Sequence, residues 1–281
     1  MNVTFIGIGA IGLPMALQIK GAGHDVTGVD LSSRARELAE ESGLATTDSF
    51  AAAPTADVVV AMVATPQQLA SLVESVGTKL EGQTWIVMST VGPEAVREQG
   101  KRLIAAGASV VDAPVTGGTA RAKTGQLVIF ASGDQKDIES VRPVLDAMGS
   151  VRVTGSRLGD GQSIKVVNQH LCSVHIVAAA EALSLAKSLG LDPAAVLEMI
   201  EKGAAGSWML SDRGPRMLQG TDVNVTSSIN IFVKDSDLVA TAAKSCDAEV
   251  PLLSIANARY RKAAEEGLGL CDDSRVIETW R

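Results

Sequence analysis

The sequence predicts an α/β fold: a doubly wound, mostly parallel sheet, followed by an all-α C-terminal domain. Three observations carry this. From residue 2 to about residue 155, short apolar runs alternate with helical patterns, the order in which strands and crossover helices follow one another. Several runs are apolar without alternation, 57–63 above all, so both faces of the sheet are expected to be covered. Beyond Gly159 the pattern is helical throughout, opening with one long segment over 162–189. A chain of 281 residues is long enough for two domains, and the expected division is 1–160 and 161–281, joined by the long helix.

Each element has its own signal. The apolar run ending at Ile6 is the first strand, and a helix follows Gly12. A second strand covers 25–29, and the helix over 33–42 is closed by Gly43. The buried strand 57–63 leads to a helix at 67–76, a strand at 84–89 and a helix at 93–106 with Pro93 in its first turn. Strands at 109–112, 127–131 and 151–154 follow, with one helix at 138–148 between the last two. Gly190 and Pro193 end the long helix, and further helices are expected at 194–202, 209–217, 231–246 and 251–267.

The turn after the first strand reads Gly7-Ile8-Gly9-Ala10-Ile11-Gly12, and the next strand ends in Asp30. This is a Rossmann-type arrangement for a dinucleotide. Gly7 allows the tight turn, Gly9 lets backbone approach a pyrophosphate, and Gly12 lets the helix pack on the sheet. A carboxylate at the second strand's end accepts hydrogen bonds from the adenosine ribose and repels a 2′-phosphate. Leu31 follows it, and Arg34 and Arg36 read as a solvated helix face, so NAD is expected and NADP is the less favoured cofactor.

The net charge of −7 argues against nucleic acid or an anionic membrane as general partners, and leaves room for a small anion held in a locally basic site. Cys172, Cys246 and Cys271 show no Cys-x-x-Cys spacing, which suits free thiols in a reducing cytoplasm. Met1 stands directly before a core strand, so no signal peptide is expected. The apolar stretch around 174–186 holds His175 and Glu181 and is expected to be too short to cross a bilayer.

Two constellations offer chemistry. Lys165 and Asn168 are three residues apart on the long helix and share a face. Lys165 is expected in the first turn, where burial and the positive helix end depress an ammonium pKa and suit it to proton exchange with a hydroxyl or carbonyl. A solvent-facing lysine satisfies the same spacing. Thr116, Gly117 and Gly118 offer a hydroxyl and two approachable N–H groups, a nest for a carboxylate, although a plain glycine turn reads the same way. Neither His170 nor His175 has metal-ligand spacing, and hydride chemistry needs no metal.

These pieces, with Ser89-Thr90, Asp112-Ala-Pro-Val-Thr-Gly-Gly, Gly159-Asp-Gly-Gln-Ser-Ile-Lys-Val-Val-Asn and Lys234-Asp235, resemble the β-hydroxyacid dehydrogenase family in order and along nearly the whole chain. The resemblance implies that Lys165 is the acid/base and that Asn168 orients the substrate. Thr116, Gly117 and Gly118 would hold the substrate carboxylate. Thr90 and Lys234 would lie near the nicotinamide, and Val63 and Ala64 would line the cofactor cleft. It also implies a homodimer or homotetramer, for which small residues over 177–186 suit close helix packing.

Two departures stand out: Asn168 is followed by Gln169 where the family commonly repeats Asn, and Val63-Ala64 replaces Leu-Pro. Several segments resemble the L-threonate dehydrogenase branch, which oxidises four-carbon sugar acids at C2. Those segments include 207–216, 231–235 and Asp272-Asp273-Ser274. His170, Trp208, Arg213 and Arg216 are candidate partners for a polyhydroxylated acid, since a site built to bond a hydroxyl rejects analogues lacking it. The expected activity is NAD-dependent oxidation of such an acid. The alternative is a 3-hydroxyisobutyrate or tartronate semialdehyde type of reaction.

Overall fold

The computed structural model describes residues 1–220 and 222–280. The chain divides into two compact units, the first Met1–Lys165 and the second from Val166 onward. The first is built on a nine-stranded sheet: β1 Asn2–Ile6, β2 Asp25–Val29, β3 Ala45–Thr47, β4 Val58–Ala61, β5 Thr84–Val87, β6 Ser109–Asp112, β7 Val115–Thr116, β8 Leu127–Gly133 and β9 Gly149–Gly155. The order is β3-β2-β1-β4-β5-β6-β8-β7, with β9 also paired to β8. The pairs from β3 to β6 are parallel, whereas β8 runs antiparallel to β6 and β7. Strand order reverses beside β1, and the carboxyl ends of β1 and β4 lie together there (Ile6 opposite Ala61). In open α/β sheets this switch point is where ligands bind.

The crossover helices are α1 Gly12–Gly21, α2 Ser33–Glu41, α3 Pro66–Ser75, α4 Pro93–Ala105, α5 Gly118–Ala122, α6 Gln135–Ser140 and α7 Arg142–Met148. They cover both faces of the sheet. Val58 and Val60 join the core that holds Phe5, Met15 and Leu145, while Val59 and Ala61 join the one that holds Ile6, Trp85 and Leu103. A strand buried on both sides needs apolar residues at every position, which is why β4 shows no alternation.

Local chemistry moves some boundaries. The single helix expected over 138–148 is two. Asp134 caps α6 by accepting from the Lys136 N–H at 2.8 Å, and Pro143 sits in the first turn of α7. A proline there lacks the N–H that would have continued the preceding helix. Strands β3 and β7, too short for a periodic signal, are additions to the expected list.

The second unit is helical. It begins within α8 (Asp160–Ser188) and continues through α9 Pro193–Ile200, α10 Trp208–Met217, α11 Ile229–Ser245 and α12 Pro251–Ala263. A π-helical turn (Ala264–Leu268) forms the end of the helix expected over 251–267, and a 3₁₀ segment (Asp273–Trp280), not expected from the sequence, follows. Its core gathers Ile176, Ala180 and Leu183 of α8 with Phe232, Tyr260 and Val276. The Phe232 and Tyr260 rings stack with centroids 5.2 Å apart, and the Tyr260 hydroxyl donates to the Ser173 carbonyl at 3.0 Å. By length and composition α8 is long and apolar enough to cross a membrane, contrary to the expectation that its apolar stretch is too short. Its buried residues in this core identify it as a core helix instead.

Candidate active site

The glycine-rich turn follows β1 at the switch point. Gly7 has φ +92°, and a Cβ there would collide with the Met62 carbonyl at the end of β4, so only glycine fits. A Cβ at Gly12 would strike the Gly7 carbonyl, which is the close approach that lets α1 start under the turn. Gly9 differs. It is exposed, and a Cβ would meet no protein atom within 4 Å, so the protein itself leaves open the space that backbone needs to approach a pyrophosphate. The Asp30 carboxylate accepts from the Ile8 N–H at 3.1 Å and the Ser32 N–H at 2.9 Å, which ties the second strand's end to the turn. Arg36 donates to the carbonyls of Asp30 and Leu31, and exposed Arg34 pairs with Glu37 at 3.3 Å. Beyond β4, Val63 and Ala64 lead into α3, where the Ala64 N–H donates to Gln68 at 2.8 Å. The residues of this turn fit a dinucleotide.

The second constellation is tied together by Asp112, the last residue of β6, which is fully buried. Its Oδ2 accepts from Ser132 Oγ (3.1 Å) and from the N–H groups of Gly159 and Gln162 (both 3.0 Å). Its Oδ1 accepts from Gln162 Nε2 at 3.0 Å. Asp112 therefore caps the start of α8 from another strand, satisfying N–H groups that have no partner within a helix. Burial pushes its carboxyl up to about 6, and the hydrogen bonds from Gln162, Ser132 and Gly159 hold it from going higher. The helix starts at Asp160, so Lys165 falls in the second turn and not the first. The field of a helix end fades within one turn, which removes the dipole argument made for Lys165. Burial remains: Lys165 is 7% exposed.

Thr116 ends β7, and Gly117 (φ +128°) and Gly118 (φ +65°) bend the chain into α5 through backbone angles that side chains rarely adopt. Thr90 lies in the loop between β5 and α4, between buried Ser89 and Val91. Thr116, Gly117, Gly118, Thr90 and Lys165 all belong to the first unit, as does the glycine-rich turn.

In the second unit, Asn168 stands one turn after Lys165 on α8. Its Nδ2 donates to Gln169 Oε1 at 3.0 Å and contacts Cys172 Sγ at 3.3 Å. Gln169 Nε2 donates to Asp235 Oδ2 at 2.6 Å, and Lys234 Nζ lies 2.7 Å from Asp235 Oδ1, a close charge contact rather than an aligned hydrogen bond. Gln169, the departure from the family's usual Asn, thus links Asn168 to the Lys234-Asp235 pair.

The arginines proposed as substrate partners have other work. Arg213 is 8% exposed and forms a two-pronged pair with Asp273 (3.1 and 2.9 Å). Arg216 bonds Asp212 at 3.0 Å and Asp272 at 3.1 Å. Burial by itself would lower the Arg213 pKa, but Asp273 and Asp212 outweigh it and hold it above its ordinary value. Buried charges of this kind are held by their counterions, so Arg213 and Arg216 clamp the 3₁₀ segment to α10. Trp208 is 47% exposed with the Arg213 guanidinium 5.5 Å above its ring.

Residues 2–159 match a family model described as the NAD binding domain of 6-phosphogluconate dehydrogenase. Residues 159–280 match one described as NAD-binding of NADP-dependent 3-hydroxyisobutyrate dehydrogenase. L-threonate dehydrogenase of Cupriavidus necator is 34% identical over 283 residues, covering 99% of this chain and 95% of that one. The chain belongs to the 3-hydroxyisobutyrate dehydrogenase family. The 2-hydroxy-3-oxopropionate reductase of Escherichia coli is 30% identical over 99% of this chain and 96% of that protein. A crystal structure of 3-hydroxyisobutyrate dehydrogenase from Salmonella typhimurium superposes with a TM-score of 0.90 at 31% identity, covering 99% of both chains. This chain is accordingly an NAD(P)-binding hydroxyacid dehydrogenase of the 3-hydroxyisobutyrate dehydrogenase family.

Sequence reasoning overlooked the residues that hold these groups. Asp112 and Gln162 both lie in quoted motifs, yet their bond spans 50 residues and leaves no local signal. A polar glutamine directly after Gly161, on the helix face shared with Lys165, was the available clue.

Proposed function

We propose that the protein is an NAD-dependent dehydrogenase of small sugar acids, oxidising an acid of the L-threonate type at C2. The observation that carries this is the run of relatives named L-threonate dehydrogenase, 33–34% identical over 98–99% of this chain. The glycine-rich turn over 7–12 holds the pyrophosphate on the N–H groups of Gly9, Ala10, Ile11 and Gly12, while those of Gly7 and Ile8 fix the turn itself on the Val29 carbonyl and the Asp30 carboxylate. Asp30 takes the ribose hydroxyls and disfavours a 2′-phosphate. The engagement of Arg36 with backbone carbonyls supports the same choice of NAD. Val63, Ala64, Thr90 and Lys234 flank the cofactor.

The chemistry that a bound nicotinamide would supply is hydride exchange at the carbinol carbon of the substrate. Lys165 takes the hydroxyl proton as that bond is oxidised and returns it in the reverse direction. Thr116, Gly117 and Gly118 hold the carboxylate by a hydroxyl and backbone N–H groups, and Asn168 orients the reacting hydroxyl. Three cysteines, an odd number with no Cys-x-x-Cys spacing, support a reducing, cytoplasmic setting. An exposed apolar stripe on α8 (Val167, Leu171 and Leu185) supports association into a homodimer or homotetramer, in place of the buried small residues Ala179, Ala180 and Ala186.

The relative named 2-hydroxy-3-oxopropionate reductase favours a second reading, reduction of a three-carbon semialdehyde. Steady-state rates with L-threonate, D-erythronate, 3-hydroxyisobutyrate and tartronate semialdehyde, each with both cofactors, separate the two. L-threonate with NAD is expected to give the highest kcat/KM. A preference for the semialdehyde or for 3-hydroxyisobutyrate contradicts the substrate assignment, and a preference for NADP contradicts the role of Asp30.

A further inference from the structure

We propose that Gln162 is a positioning residue that sets the geometry of proton transfer by holding three segments with one side chain. The proposal rests on the reading of Lys165 as the acid/base. Gln162 is fully buried, one turn before Lys165 on α8, so the two side chains share a face of the helix. Its Oε1 accepts from the N–H groups of Val91 (3.1 Å) and Gly92 (3.0 Å). Its Nε2 donates to the Ser89 carbonyl (2.9 Å) and to Asp112 Oδ1 (3.0 Å).

A primary amide has two donors and an oxygen with two lone pairs, and all four are used here. The amide also has one permitted orientation. Flipped, it would set its NH₂ against two N–H donors and its oxygen against a carbonyl and a carboxylate.

The three segments are the ones that carry chemistry. Ser89, Val91 and Gly92 bracket Thr90, so Gln162 grips this loop on both sides of it. Asp112 lies four residues before Thr116, with its other oxygen on the N–H groups of Gly159 and Gln162. Ser132 adds a cross-brace, accepting from the Gly161 N–H at 2.9 Å while donating to Asp112 at 3.1 Å. A network that merely filled space would be served by an apolar side chain without the cost of burying polar groups. One that fixes reacting groups against each other matters because a misplacement of about 1 Å costs about 100-fold in rate.

Gln162→Met keeps the length and removes all four bonds. Gln162→Glu keeps shape and the accepting oxygen but loses the amide donors and faces Asp112 with a second carboxyl. In Gln162→Met, kcat per folded site is expected to fall about 10- to 100-fold, with the hydroxyacid KM and NADH Kd each within about threefold. In Gln162→Glu, turnover relative to wild type is expected to fall similarly at pH 8 and to recover on acidification, as a proton shared with Asp112 restores a donor.

Should Gln162→Met fail to fold, the pH profile of Gln162→Glu decides. Wild-type turnover in the folded variants, or no recovery in Gln162→Glu on acidification, overturns the proposal. Lys165→Ala measured alongside separates it from the reading beneath it. Near-normal turnover there overturns the acid/base assignment, whereas lost turnover there with wild-type kcat in both Gln162 variants overturns the positioning role alone.

Discussion

Gly9 and Asp112 each separate what the protein needs for itself from what it needs for a ligand. A Cβ on Gly9 meets nothing in the protein and its φ lies outside the left-handed region, so Gly9→Ala is expected to fold with a Tm within a few degrees of wild type. NADH affinity, read by fluorescence titration, should nevertheless fall at least tenfold, because the methyl occupies the path of the pyrophosphate. Unchanged affinity would remove this turn from the cofactor site. Asp112 tests the buried network. Its folded carboxyl titrates at about 6 against 3.8 when unfolded, so the native state holds the proton more tightly. Its contribution to stability is full at low pH and is lost as pH rises through that window, by about 3 kcal/mol in all. Asp112→Asn removes this dependence. In urea unfolding at pH 5 and pH 7.5, the wild type should lose about 1 kcal/mol or more relative to the variant on going to the higher pH. A constant difference would contradict the buried, ionising carboxylate.

At the scale of elements, α8 and the C-terminal 3₁₀ segment show what was legible in the sequence. The long helix was plain from its uninterrupted pattern, but its first turn was not, because the cap is Asp112, 47 residues before Gly159. Strands of the sheet were legible wherever both faces are buried, as in β4, and invisible where two residues suffice, as in β7. The division of α6 from α7 turned on Pro143, which an apolar pattern continued through. Arg213 and Arg216 suited a polyhydroxy acid on type alone, since two of their three aspartate partners, Asp272 and Asp273, lie about 60 residues away in sequence. Removing one partner of a buried pair leaves the other charge stranded at a cost of about 3–5 kcal/mol. Arg213→Met is therefore expected to lose that much stability in chemical denaturation, while KM for the hydroxyacid stays within about twofold in the folded protein. A large rise in KM with little loss of stability would return Arg213 to the substrate site.

For the whole molecule, the residues proposed for the reaction are divided between the two units. The first carries the glycine-rich turn with Asp30, the Thr116 turn and Lys165, while the second carries Asn168, Gln169 and the Lys234-Asp235 pair. The family, the α/β class and the helical second half were readable from motif order alone. The polar scaffolding was not, because hydrogen bonds between distant segments leave no periodicity. Proton exchange by Lys165 is the central step of the proposed reaction. Its test is kcat of Lys165→Ala with L-threonate and NAD, measured beside NADH binding by the same protein. Turnover should fall at least about 100-fold with NADH Kd within about threefold. Near-normal turnover in a variant that still binds NADH would contradict the account.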